Sequence, residues 1–125
     1  MNQDTLAELL DGVRSGQVRV DEAMNRIRAL PFEDLGFAKV DLHRALRHGR
    51  PEVIFCQGKS PDQVLQIIQT LRRHGQKTLA TRASREIYDH VHATLPDLVY
   101  YADARIIAGP ELADPEQGEG LVLVV

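Results

Sequence analysis

The run Gly58-Lys59-Ser60-Pro61-Asp62-Gln63 constrains this chain more than any other. It follows a short apolar segment at residues 52–56. It opens a stretch in which Val64, Leu65, Ile67, Ile68 and Leu71 recur at the helical period before Gly75. Ser60 suits an N-cap, Pro61 the first helical position, where a missing N–H is harmless, and Gln63 closes a capping box. The spacing predicts a strand, a tight turn and a helix. Residues 77–81 and 84–95 repeat the pattern as a strand and a helix, and further short strands are expected at 98–101 and 105–108. A β-α-β-α-β order calls for crossover helices and an at least partly parallel sheet.

The residues before this unit have a different character. Thr5 and Glu8 fit a capping box, Leu6, Leu9, Leu10 and Val13 follow the helical period, and Gly16 suits the stop. A second helix is expected from Asp21, with Ala23, Met24, Ile27 and Leu30 on one face and Pro31 ending it. Such thin apolar stripes must pack on something else, so residues 1–35 read as a helical arm. Residues 36–109, beginning with a strand at 37–41, read as the α/β domain, and 110–120, rich in acids, Pro and Gly, as a linker. The closing LVLVV at 121–125 has the pattern of a strand buried on both faces, with no helix after it. It is expected to start a second, truncated domain. The fold class is therefore α/β: a helical arm plus a small mixed, partly parallel sheet with crossover helices.

Charge is unevenly spread. The chain carries 15 Lys/Arg and 18 Asp/Glu, a net charge of −3, but residues 39–85 hold ten bases against three acids. A basic middle between acidic ends points to a local anion site. The acidic flanks argue against a general nucleic-acid partner. One cysteine, Cys56, excludes an internal disulfide and a CxxC metal site. With no apolar run of membrane-spanning length and no leader-like N-terminus, the sequence reads as soluble and cytoplasmic.

Gly58-Lys59-Ser60 looks like the end of a P-loop, but that motif needs a glycine where Val53 stands, and Pro61 removes an N–H from the cradle. A weaker reading survives, in which a helix N-terminus beside Lys59 favours an anion; the alternative is an ordinary capped helix with a solvated lysine. Thr81-Arg82-Ala83-Ser84 repeats the arrangement at the next junction. Both junctions fall at carboxyl ends of strands, where open α/β sheets bind ligands. In the charged segment 39–52, Arg44 and Arg47 share a face if helical, and Asp41 and Glu52 could orient them or ligate a cation; a solvated loop is the alternative. Cys56 alternates with Val53 and Phe55 and shares a face with Ile54, which suits a buried, inert thiol. His90 and His92 point to different faces, and His43, His48 and His74 make no ligand spacing, so no metal site is expected.

The pattern A-K-x-D…R-x-x-R-x-G-x-P-E-V-I-F…G-K-S is carried by Ala38, Lys39, Asp41, Arg44, Arg47, Gly49, Pro51, Glu52, Val53, Ile54, Phe55, Gly58, Lys59 and Ser60. With T-R-A-S at 81–84, the helical opening and the terminal GLVLVV in the same order, the chain resembles the LarB family. These are carboxylases of nickel-pincer nucleotide cofactor biosynthesis, also labelled phosphoribosylaminoimidazole carboxylase-like. The resemblance implies a two-domain, homo-oligomeric enzyme whose C-terminal half has the aminoimidazole-ribonucleotide carboxylase fold and supplies a cysteine nucleophile. That enzyme joins carbon dioxide or bicarbonate to the pyridinium ring of nicotinic acid adenine dinucleotide and hydrolyses the phosphoanhydride. The products are pyridinium-3,5-biscarboxylic acid mononucleotide and AMP. It implies substrate contacts at Lys39, Asp41, Arg44, Arg47, Glu52, Lys59, Ser60, Thr81, Arg82 and Ser84. It implies no cofactor in this chain, with Mg2+ an option for the complete enzyme, and no turnover by residues 1–125 alone. The competing expectation is a non-catalytic oligomerisation domain whose basic residues pair with acidic flanks of neighbours.

Overall fold

The computed structural model describes residues 3–28, 32–48, 50 and 52–112, apart from the side chains of Leu46 and Arg47. The order is α1 (Gln3–Arg14), α2 (Val20–Arg28), β1 (Phe32–Asp34), β2 (Lys39–Asp41), α3 (Arg44–His48), β3 (Ile54–Phe55), α4 (Pro61–Arg73), β4 (Leu79–Thr81), α5 (Arg85–Thr94), β5 (Val99–Tyr101) and β6 (Ile106–Ala108). A 3-10 turn at Pro110–Leu112 follows.

The capping-box unit forms as its residues dictate. Ser60 is the N-cap of α4, its hydroxyl accepts from the Gln63 N–H, and the Gln63 side chain accepts from the Ser60 N–H. Val64, Ile67, Ile68 and Leu71 are buried, and Leu65 is half-buried. Ser84 caps α5 with a single bond, its hydroxyl accepting from the Ile87 N–H. The main sheet has the order β3-β4-β6-β5, with β3 and β4 parallel and both other pairs antiparallel. It is an α/β fold with a mixed sheet, as expected.

Strand alternation assigns the two faces of the sheet. Ile54, Cys56, Ala80 and Ile107 join Val64, Ile67, Ile68, Leu71, Ile87 and Val91 in one core, so α4 and α5 cover that face. Each fully buried aliphatic side chain there contributes ~1.5–3 kcal/mol. Phe55, Val99 and Tyr101 lie on the opposite face and are exposed. Val40 and Leu42 bring β2 into the same core, and the Gln76 amide ties the Leu42 carbonyl at 2.7 Å.

Several expectations need correction. The sequence reading contained no strand at 32–34, yet β1 pairs antiparallel with β2. Its signal was the Asp34-Leu35-Gly36 turn, where the Asp34 carboxylate accepts from the Gly36 N–H at 2.8 Å and Gly36 takes φ 85. The β-region begins at Lys39 rather than at residue 37, because Phe37 and Ala38 belong to that turn. Thr5 is not an N-cap: α1 starts two residues earlier. In α2, Ala23 is buried but Met24, assigned to the inner face, is 45% exposed. Leu9 and Ala23, the buried residues of this helix pair, lie outside the main core cluster. Residue 111, read as linker, has a structural task, since the Glu111 carboxylate accepts from the Thr78 N–H at 2.7 Å. The expected helix end at Leu30 and Pro31, most of the linker and the LVLVV run lie outside the described residues.

Candidate functional site

The turn after β3 needs a left-handed backbone at Gly58, φ 81, which lets the chain drop straight into α4 and leaves Lys59 beside the end of the strand. The Lys59 ammonium donates to the Phe55 carbonyl and lies 5.9 Å from the centre of the Phe55 ring. From the neighbouring strand end, the Arg82 guanidinium approaches the same ring to 5.6 Å. Phe55 pairs with Thr81 in register, which is why the two junctions meet. Lys59 and Arg82 therefore share one rim of the sheet, at the carboxyl ends of β3 and β4.

Beside Phe55 lies a pocket of about 230 Å³, between the β1–β2 hairpin and the 52–55 segment. Lys39, Glu52 and Lys59 line it with Phe55, and Val40, Ile54 and Ile67 supply apolar walls. Three expected site residues, drawn from separate parts of the sequence, thus converge. A larger surface groove of about 720 Å³ runs along α4, lined by Leu35, Gln66, Arg72 and Arg73 among others. It holds none of the expected residues, and its arginines are engaged: Arg72 with Asp97, Arg73 with Glu33. The Arg72 hydrogen bond holds the Asp97 carboxyl below the usual carboxylate range.

Other expected residues have local tasks. Ser60 and Ser84 serve as caps, and the Thr81 hydroxyl donates to the Ile54 carbonyl at 3.4 Å. The Asp41 carboxylate accepts from the His43 N–H at 2.9 Å. Arg44 is exposed at the start of α3, and the side chain of Arg47 lies outside the described residues. The first turn of α4 has little backbone to offer an anion, because Pro61 has no N–H, Gln63 donates to the Ser60 hydroxyl and Val64 to its carbonyl. Charge at this rim comes from side chains instead.

Two features escaped the sequence reading. One is Phe55 itself, 49% exposed at the centre of the cationic rim. The other is Arg105, which like Arg82 holds a positive φ, 55 against 53, and whose carbonyl accepts from the Ala83 N–H at 2.8 Å. Left-handed non-glycine residues are uncommon and gather where a loop conformation is over-determined. Neither left-handed arginine has a sequence signal for its conformation, since arginine is not a turn residue.

Cys56 is fully buried, and burial pushes its thiol up to about 11 against the opposing pull of Lys59. It is a protonated core group and no nucleophile. Among the described residues no three of His, Cys, Asp and Glu converge as a metal site.

Residues 32–111 match the LarB/PurE-like N-terminal domain, a span that takes in the hairpin, the sheet and both capped helices. The chain belongs to that family. An uncharacterized protein of Methanocaldococcus jannaschii is 30% identical over 78 residues, which is 62% of this chain and 30% of that protein. The chain thus spans about a third of the length of this curated relative. Among the described residues no helix of this LarB/PurE-like domain is long and apolar enough to cross a membrane.

Proposed function

We propose that this chain is the substrate-contacting N-terminal domain of a cytoplasmic LarB-type enzyme. The complete protein carboxylates the pyridinium ring of nicotinic acid adenine dinucleotide and hydrolyses its phosphoanhydride, for nickel-pincer cofactor synthesis. The observation that carries this reading is the convergence of Lys39, Glu52 and Lys59 on one pocket, with Arg82 on the same rim. A dinucleotide brings two phosphates and a carboxylate, which match a cluster of lysine and arginine. The ring chemistry requires a nucleophile that Cys56, buried and protonated, does not supply. It falls to the domain that follows.

The test is calorimetric titration of the complete protein with nicotinic acid adenine dinucleotide. Each charge-assisted contact is worth about 1.5–3 kcal/mol, so Lys39→Ala and Lys59→Ala should each weaken binding roughly ten- to a hundredfold with little change in stability. Unchanged affinity in both variants rejects the reading.

A second reading, an oligomerisation domain, is favoured by the helical arm, where Leu10, Val20 and Met24 are all exposed. Its expected ion pairing between neighbours finds less support, because Arg72 and Arg73 already pair with acids of their own chain. Gel filtration of the lysine variants separates the two. Lost assembly with intact affinity favours the oligomerisation domain.

A further inference from the structure

We propose that the exposed face of Phe55 is a stacking platform for the neutral base of an adenine nucleotide, with the flanking cations holding its phosphate. The inference rests on the dinucleotide reading above and states which half of that substrate this domain holds. Phe55 is half exposed on a strand whose neighbours Ile54 and Cys56 are buried, so the ring is displayed rather than packed. Lys59 and Arg82 stand 5.9 and 5.6 Å from its centre, and their attraction to the ring holds all three groups together. A base laid on such a ring would lie beside the Arg82 guanidinium, and proteins use aromatic rings and arginines together to hold unpaired bases.

Size and hydrogen-bonding groups select the ligand. The adjoining pocket, about 230 Å³, suits one flat ring system with part of its sugar and not a whole dinucleotide. Its apolar walls, Val40, Ile54 and Ile67, suit a base edge, and Glu52 supplies an acceptor for an exocyclic amine. Lys39 and Lys59 supply donors for phosphate. The nicotinate ring has no exocyclic amine and would bring its carboxylate beside Glu52, whereas adenine offers that acid a hydrogen-bond donor. The adenylate half therefore belongs here, leaving the reacting ring to face the rest of the enzyme.

The 125-residue chain should be titrated calorimetrically with AMP, ribose 5-phosphate and nicotinic acid mononucleotide, alongside Phe55→Ala and Phe55→Trp. AMP should bind about tenfold or more tightly than the other two. Phe55→Ala should reduce AMP to the level of ribose 5-phosphate, and Phe55→Trp should retain it. The platform is rejected if AMP does not bind, if it binds no better than ribose 5-phosphate, or if Phe55→Ala has no effect. The two readings fail separately. Dinucleotide binding that ignores Phe55→Ala removes the platform and leaves the enzyme assignment standing. AMP binding that depends on Phe55, in a complete protein without dinucleotide turnover, does the reverse.

Discussion

Arg82 holds φ 53, a conformation that disfavours a residue bearing a Cβ by about 1–2 kcal/mol. Glycine removes that penalty at some entropic cost, so Arg82→Gly should raise stability by up to about 1 kcal/mol. The same change removes a cation from the rim and should weaken dinucleotide binding. Denaturant unfolding and titration check the two signs, and a variant that loses both would show that the conformation is not strained. Cys56 carries a second residue-scale prediction. Its thiol is raised from an ordinary 9.0 to about 11 by burial. Between those values the unfolded chain gives up the proton while the native chain keeps it, so stability falls as pH rises. The loss should reach about 2 kcal/mol by pH 11, with a slope of at most roughly 1.4 kcal/mol per pH unit. Comparing unfolding of the wild type and Cys56→Ala from pH 8 to 11 isolates this contribution; parallel curves would contradict it. Cys56→Ser in the complete enzyme should keep most of its activity.

At the scale of elements, short strands and two capped helices carry the rim. The α4 cap satisfies two backbone groups reciprocally, and Ser60→Ala should cost about 1 kcal/mol. Glu111→Ala should cost about 1–3 kcal/mol, because it strands the partly buried Thr78 N–H at the entry to β4. The two sites share no hydrogen-bond partner, so the losses should add in the double variant. Thermal or denaturant unfolding of the three variants measures this, and a neutral Glu111→Ala would mean that water replaces the carboxylate. The helices were legible in the sequence because caps and helical periodicity are local. The β1–β2 hairpin was missed because its strands are three residues each, too short for alternation to register.

At the scale of the whole molecule, the sheet leaves Phe55, Val99 and Tyr101 exposed on the face turned away from α4 and α5. The proposal that the reacting ring lies in the following domain has a direct consequence. Residues 1–125 should bind the dinucleotide yet incorporate no labelled carbon dioxide into it, while the complete protein does both. Incorporation by the 125-residue chain would overturn that division of labour.

What the sequence determined by itself follows from interactions between residues a few positions apart. Ser60 and Gln63 settle where α4 begins, the spacing of Val64 to Leu71 settles which face it buries, and the alternation of Ile54 and Cys56 buries the thiol. The same local logic marked Lys59 and Arg82 as residues at strand ends. Only the tertiary structure decided that these two cations meet over one ring, since that depends on the parallel register Phe55↔Thr81. It likewise decided that β6 inserts between β4 and β5, and that Lys39 reaches the pocket from a hairpin. Such pairings are settled by which faces the core must cover. Hydrophobic burial is non-directional and acts over the whole assembled sheet, so no short window of sequence contains it.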